Sequence, residues 1–319
     1  MRPKFGLGLR MFVSAVLLAI LVSRIDFENA MPKDRHLGTV LFFAAAVLTA
    51  TIGIVLSAWR WRRVIQAFGP TVSMSELTNH YFAGQFLGNV LPSTIGGDVL
   101  RVSRSAPSIG SSETAFAAVA LERLSGFLVL PLLCFIGFAM DPSLLDTSTA
   151  WIALAISIGT LVVLAGILFL AGHPRIAGRF RDRENWMRFL GAVHVGIGRL
   201  RSNPRVAIGV LVAAFVYQSS VIITVGFVVL TLGVDLSVAA LVAFIPVVAM
   251  AQVIPLSLSG LGIREGMLVI LLHPLGVSNG KAIAIGLLWY LVMLLVSLLG
   301  APSFAIGARG RAVRQARTP

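Results

Sequence analysis

Residues 150–171 read AWIALAISIGTLVVLAGILFLA, an unbroken apolar run without a charge or a proline. A helix needs about 20 mainly apolar residues to cross the hydrocarbon core of a bilayer, so this stretch is predicted to span a membrane. Working outward, segments 7–23, 37–58, 113–139, 206–231 and 281–307 meet the same test. Composition agrees with them. Only 12% of the 319 residues are charged, against roughly 25% in a soluble domain, and mean hydropathy is +0.92. The missing charge means that much of the surface faces lipid.

The charge that remains is lopsided, with 26 Lys and Arg against 13 Asp and Glu, a net +13. The bases sit between apolar runs, where positive-inside topology and anionic headgroups explain them better than nucleic acid does. Trp59-Arg60-Trp61-Arg62-Arg63 follows the second span. The 172–205 loop carries Arg175, Arg179, Arg181, Arg183, Arg188, Arg199, Arg201 and Arg205, and the tail adds Arg309, Arg311, Arg314 and Arg317. The loops on the other side are poorer in bases: 140–149 has Asp141 and Asp146, 232–236 has Asp235, and 24–36 is mixed, with Arg24, Lys33 and Arg35 against Asp26, Glu28 and Asp34. Both termini are therefore expected in the cytoplasm, as six full spans require. Arg2, Lys4 and Arg10 precede the apolar Met11–Ser23 stretch with no small-residue cleavage site after it, so an uncleaved first span is expected.

Little else carries chemistry by pattern. Cys134 is the only cysteine and lies in an apolar run, which excludes an internal disulfide and a thiolate metal cage. His36, His80, His173, His194 and His273 are scattered without metal-ligand spacing. His173 and His273 each precede a proline and are expected at helix ends. Ser73 and Glu76 have the spacing of a capping box. In the 172–205 loop, Ile176, Phe180, Trp186, Phe189, Leu190, Val193, Ile197 and Leu200 recur at helical spacing. That pattern fits a helix lying in the cytoplasmic interface, and it fits equally a short helix packed on its own bundle.

Two apolar stretches are broken by Pro and Gly, one near 78–97 and the other near 238–276. Superposed at an offset of 163 residues, Val90-Leu91-Pro92-Ser93-Thr94-Ile95-Gly96-Gly97-Asp98-Val99-Leu100-Arg101 faces Val253-Ile254-Pro255-Leu256-Ser257-Leu258-Ser259-Gly260-Leu261-Gly262-Ile263-Arg264. Val, Pro, Gly and Arg coincide, and Asn89 falls on Gln252. By the loop charges each broken stretch enters and leaves on one side or crosses an even number of times, the first opening to the cytoplasm and the second to the outside. Paired, oppositely oriented broken segments are the signature of an inverted-topology repeat. The expected fold is thus all-α integral membrane: one transmembrane domain over 1–319, with about six full spans plus two re-entrant segments. The pseudo-repeat halves fall at about 37–140 and 206–308, the 7–23 span is extra, and 172–205 is a cytoplasmic loop. Pro removes a backbone donor and Gly permits a sharp turn, so the helices resuming beyond the glycines would offer N-termini suited to phosphate.

Glu122 and Arg123 lie well inside the third span, where each charge costs around 2.5–3.5 kcal/mol to insert and so needs a partner or a cavity. Successive residues on a helix point about 100° apart, so the two do not simply neutralise each other. Pairing is expected between Glu122 and Arg101 or Arg264, or between Arg123 and Asp98 or Glu265. Arg101 and Arg264 follow the glycines at equivalent places and can grip a phosphate with two N–H groups.

Leu91-Pro92 with Gly96-Gly97-Asp98 and Arg101, then Leu121-Glu122-Arg123, then Pro255 with Gly260-Leu261-Gly262-Ile263-Arg264-Glu265-Gly266 resemble the lysylphosphatidylglycerol synthase transmembrane-region family. The likeness runs over nearly the whole chain. It implies lipid translocation or export, here in a bacterial inner membrane. The repeat and the intramembrane charges themselves give Asn89, Pro92, Gly96, Gly97, Asp98, Arg101, Glu122, Arg123, Gln252, Pro255, Gly260, Gly262, Arg264 and Glu265 as the expected substrate-binding residues, with Asp98 and Glu265 orienting the arginines or binding a headgroup amine and Asn89 and Gln252 bonding a headgroup. The soluble aminoacyl transferase domain of two-part members is not in this sequence, so lysyl transfer is not expected. Ser259 stands where the first half has Gly96, and the last span has no match for Glu122-Arg123, so the halves need not bind ligand alike.

The leading function is therefore a lipid flippase, with Arg101, Arg123 and Arg264 around a lipid phosphate between the halves. The partners implied are membrane lipids, with a second copy or a lipid-synthesis enzyme as protein partner and no nucleic acid. No cofactor is expected. The alternatives are a membrane-embedded transferase acting on a polyprenyl-phosphate lipid and an accessory subunit of a lipid-synthesis enzyme. Against the transferase, no Gly-x-x-x-x-Gly-Lys run, serine elbow, His–metal cluster or close pair of catalytic carboxylates is found.

Overall fold

The computed structural model describes residues 37–90, 94–173, 187–253 and 260–305, and these are helical with no strand. The predicted 7–23 span, Pro92, Pro255, the 174–186 part of the basic loop and the Arg-rich tail lie outside the described residues. The helices are α1 Leu37–Ala67, α2 Met74–Val90, α3 Thr94–Ile109, α4 Ser112–Met140, α5 Ala150–Gly172, α6 Met187–Ser202, α7 Pro204–Thr231, α8 Val238–Ala251, α9 Ile263–Leu272 and α10 Asn279–Leu298. Short 3-10 turns follow α4 and α9. Among the described residues five helices are long and apolar enough to cross a membrane: α1, α4, α5, α7 and α10. Large apolar side chains stand exposed along them, among them Trp151, Val162 and Phe169 of α5. A backbone satisfied within each helix and an apolar exterior are what a bilayer demands.

Local chemistry sets the helix ends. The Ser73, Ser111 and Ser237 hydroxyls accept from the backbone N–H of Glu76, Thr114 and Ala240 at 3.2, 3.2 and 3.1 Å, capping α2, α4 and α8. Only half of the capping box expected at Ser73 forms, because the Glu76 carboxylate turns to Ser108 and His80 instead. α5 ends just before His173, and His273 is the C-cap of α9, as their prolines required.

Three helix limits differ from the sequence reading. The second span does not stop at residue 58: α1 continues to Ala67, so Trp59 to Arg63 are helical rather than a basic loop. The last span stops at Leu298 rather than 307, and after Leu299 the chain turns helical again over 300–305. Gly96 and Gly97 lie inside α3 and make no turn there.

The chain divides into two compact units, 1–52 with 127–163 and 218–293, and 53–126 with 164–217 and 294–319. In the first unit the 243–248 stretch of α8 is buried, with Phe244, Ile245, Val247 and Val248 at 0–1% exposure. Phe138 meets Phe244 edge to face at 5.8 Å, and Gly137 leaves the space that the backbone of Ala243 fills.

In the second unit Ala58, Trp61, Val64 and Ile65 of α1 join Leu77, Ala115, Ala118, Val119, Leu121 and Val210 in one core. Ile197 and Leu200 of α6 pack against it, and Gly196 lies where any Cβ would strike the Leu121 side chain. Of the two readings of the basic loop, its described portion therefore follows the packed one. α2 and α3 run antiparallel: Gly88 and Gly84 face Gly97, Gly84 faces Arg101, and Glu76 bonds Ser108. At 17 and 16 residues, each is about 25 Å long, short of a full crossing.

The 300–305 segment packs along the middle of this hairpin. Arg104 donates through Nη1 to the carbonyl of Ser303 at 2.9 Å and through Nη2 to that of Phe304 at 2.8 Å. Phe304 packs on Phe86 with ring centroids 5.8 Å apart, and Gly300 sits against the Phe82 carbonyl. Arg104→Ala is expected to speed amide hydrogen exchange over 300–305 by about tenfold, the equivalent of one charged hydrogen bond. Unchanged exchange there would show that the aromatic contact alone holds the segment.

Candidate functional site

In the second unit α1, α2, α3 and α4 bring their charged residues together. Glu122, 0% exposed, is the hub. Its Oε1 accepts from Arg60 Nη2 and, at 3.4 Å, from the Tyr81 hydroxyl, while its Oε2 accepts from Arg101 Nη2 at 2.8 Å. Arg101 also donates through Nη1 to Asp98 Oδ1 at 3.3 Å, and the other Asp98 oxygen meets Arg123 Nε at 2.5 Å. The result is one alternating chain: Arg60, Glu122, Arg101, Asp98, Arg123. It runs from buried to open, since the Arg60 and Arg101 side chains are 5% and 4% exposed and that of Arg123 is 48%.

Aromatic rings hold the buried guanidiniums. Arg101 Cζ lies 4.3 Å from the Trp61 ring centroid and 4.1 Å from that of Tyr81, and Arg60 Cζ lies 4.5 Å from that of Tyr217. Stacked cations of this kind gain about 0.5–2 kcal/mol each, at the desolvated end of that range when buried. Asp98 and Arg101 are one turn apart on α3, so the hairpin presents both to α4 together.

The pairings Glu122 with Arg101 and Arg123 with Asp98 are among those the sequence allowed. Arg60 was missed because it sits in a Trp-Arg-Trp-Arg-Arg run that looks like a topology signal. A finer signal existed: Ala58, Trp61, Val64, Ile65 and Phe68 keep helical spacing past residue 58, and all join the core.

The first unit has its own centre. Gly260 and Gly262 adopt φ of +77° and +86°, a left-handed turn open to glycine, and α9 begins at Ile263. Here the glycine turn expected from the sequence does form. The helix N-terminus it creates is not left for a phosphate, because Glu265 Oε2 accepts from the Gly262 N–H at 2.6 Å. Arg264 then donates through Nε and Nη2 to Glu265 Oε1 at 3.0 and 2.7 Å. Arg264 lies 5.6 and 5.2 Å from the Trp289 and Tyr290 rings. Gly286 makes room, since a Cβ there would sit 2.8 Å from Glu265 Cγ.

Arg101 and Arg264 thus have the same surroundings, a buried glutamate and two aromatic rings. The glutamates come from different places, because at the 163-residue offset Glu122 falls on Ile285 and Glu265 on Val102. Arg101 and Arg123 belong to the second unit and Arg264 to the first, and each is paired to a carboxylate of its own unit rather than left open for phosphate. Asn89 is half-buried with its Nδ2 unpartnered. Gln252 caps α8, bonding the Val248 carbonyl through Nε2 at 3.2 Å and covering Gly260. Among the described residues no group of three or more His, Cys, Asp and Glu is placed to hold a metal.

Residues 8–300 match the family described as lysylphosphatidylglycerol synthase TM region. The chain belongs to that family. As one of its members it is a multi-pass membrane protein. It is similar to a UPF0104 membrane protein of Pyrococcus horikoshii, 26% identical over 322 residues, covering 92% of this chain and 94% of the relative.

Proposed function

We propose that this protein moves a lipid with an anionic headgroup between the leaflets of a bacterial inner membrane. The observation that carries the reading is the alternating charge chain of the second unit, which ends on a half-exposed arginine. Charges of this number are costly at membrane depth and are kept there for a pathway or a ligand. A headgroup phosphate reaching Arg123 competes with Asp98 for its guanidinium, and Asp98 turns to Arg101 as it is displaced. One ion pair is exchanged for another, so no charge is left bare while the headgroup passes.

In this reading six spans place both termini in the cytoplasm. The α2–α3 hairpin is re-entrant, entering and leaving on one side, and α8–α9 is its inverted counterpart in a repeat of halves 37–140 and 206–308. Asn89, Gly96, Gly97, Asp98, Arg101, Glu122 and Arg123 form the substrate side in one half. Gln252, Gly260, Gly262, Arg264 and Glu265 form the centre of the other. The lipid is a phospholipid, a glycolipid, or a polyprenyl or hopanoid lipid.

The test is leaflet exchange of fluorescent anionic and zwitterionic lipids in liposomes holding the purified chain, read by external quenching. Arg123→Gln is expected to slow exchange about tenfold or more, because a charged hydrogen bond is worth ~1.5–3 kcal/mol. Its exposure predicts little loss of stability. Arg123→Lys should recover part of the rate, keeping the charge and losing the fork. Exchange at the wild-type rate in Arg123→Gln would remove Arg123 from the path. No exchange of any lipid by folded protein would sink the transport reading.

A further inference from the structure

The same cluster holds donors that its own carboxylates do not satisfy. Nε and Nη1 of Arg60, Nε of Arg101 and the indole Nε1 of Trp61 are buried and have no acceptor. The three residues are 4%, 3% and 0% exposed. They form one group: Arg60 and Trp61 are neighbours on α1, Arg60 and Arg101 share Glu122, and Arg101 stacks on the Trp61 ring. Each buried unpaired donor costs about 1–3 kcal/mol, and more when it is charged. Four together are a large penalty for a protein to carry without a compensating ligand.

Charge points to what that ligand is. The chain of Arg60, Arg101 and Arg123 against Asp98 and Glu122 sums to 3 − 2 = +1. Water would meet the N–H groups and leave that charge uncompensated, at a site with little water around it to screen it. We propose that Arg60, Arg101 and Trp61 form a binding site for a small inorganic monoanion of the chloride type. A halide accepts N–H groups from any direction, which suits donors on two guanidiniums and an indole. One such ion brings the chain to neutrality, and a phosphate dianion would overshoot it. A headgroup tied to acyl chains reaches Arg123 at the open end more readily than donors buried to this degree.

The site deepens the lipid-transfer reading, on which its role as a coupling ion rests. Binding itself is independent of transport. With the anion bound, the buried end of the chain is neutral and Glu122 holds Arg60 and Arg101 firmly. Without it, Arg60 and Arg101 compete for a further acceptor. Movement of a headgroup past Asp98 is then linked to an anion gradient.

The test uses the full chain in detergent at constant ionic strength, with sodium gluconate replaced stepwise by chloride, bromide or inorganic phosphate. Thermal unfolding and equilibrium binding of radioactive chloride are followed. Saturable chloride binding is expected, with bromide competing and gluconate not, together with a rise in melting temperature that follows the same curve. Trp61→Phe keeps an aromatic ring beside Arg101, removes one donor and leaves a small cavity in the core, so it should weaken chloride binding about tenfold. Arg60→Gln should abolish it, while Arg205→Gln, at an exposed position, should leave it unchanged. If Arg60→Gln fails to fold, Trp61→Phe carries the test.

Folded wild type without saturable binding would overturn the site, as would binding undiminished in Trp61→Phe. Phosphate displacing chloride with higher affinity would overturn the monoanion assignment and give these donors to a headgroup. Lipid exchange in chloride against gluconate liposomes separates the two proposals. Chloride binding without any exchange sinks transport and leaves the site. Exchange without chloride binding sinks the site alone.

Discussion

Glu122→Ala is expected to destabilise the protein by about 3–5 kcal/mol, the cost of breaking a buried ion pair from one side. The magnitude follows from what Glu122 does. It is 0% exposed and takes hydrogen bonds from Arg60, Arg101 and Tyr81. Removing it leaves two buried guanidiniums, Arg60 and Arg101 at 4% and 3% exposure, with no carboxylate between them. Glu122→Gln should cost less, because it keeps the shape and one acceptor oxygen while losing the charge. The most informative variant is Arg60→Met with Glu122→Met. Replacing both members by apolar groups of similar length should recover much of the stability lost in Glu122→Ala, since an apolar pair needs no desolvation. Leaflet exchange should not return with it, because Arg101 would then have only Asp98. Denaturant unfolding in detergent, followed by tryptophan fluorescence, gives the stabilities. A Glu122→Ala protein within about 0.5 kcal/mol of wild type would mean that the charge chain is not what holds α1, α3 and α4 together.

The helices and two of the ion pairs were open to sequence reasoning for a plain physical reason. Membrane insertion makes apolar runs long, and it makes a charge inside one conspicuous. Glu122 and Arg123 are such charges, and the cost of burying them calls for partners of opposite sign, Arg101 and Asp98 among the candidates. Arg60 did not stand out, because an arginine at the end of a span has an ordinary explanation in topology. Only the continued spacing of Ala58, Trp61 and Ile65 betrays that the helix goes on. The stacking of Arg101 between Trp61 and Tyr81 joins residues on three helices, and no pattern within one segment encodes it. Arg264 is a different case. Its partner Glu265, one of the two carboxylates expected to orient the arginines, is the residue beside it, although adjacent side chains on a regular helix diverge. At Ile263 the helix is only beginning, so Glu265 folds back onto Gly262 and Arg264 can follow it. The glycines were read as one device and prove to be two. Gly260 and Gly262 turn the chain at positive φ, whereas Gly97 lets two helices touch.

That distinction gives the second large effect, expected at Gly97. Gly97→Val should destabilise the protein by at least the ~1–3 kcal/mol typical of overpacking. A Cβ on Gly97 would overlap the carbonyl of Gly84, and Gly88 Cα lies 3.6 Å from the same point. These are backbone atoms of α2, so no rotamer change relieves the clash and the hairpin itself must open. A glycine elsewhere supplies the control. Gly166 in α5 has nothing within 4 Å of its Cβ position, so Gly166→Ala should be neutral or gain about 0.5–1 kcal/mol from the better helix former. The consequence for function follows from chain order: Asp98 is the next residue after Gly97 and Arg101 stands one turn on. Spreading α3 from α2 draws both away from Glu122 and Arg123, so Gly97→Val should lose lipid exchange even at temperatures where it remains folded. Gly97→Ala, with one methyl to place, should show the same two losses in smaller measure and in the same ratio. A Gly97→Val protein that unfolds early yet exchanges lipid normally while folded would separate the hairpin's packing from the charge chain. Headgroup passage would then have to run elsewhere than along α3.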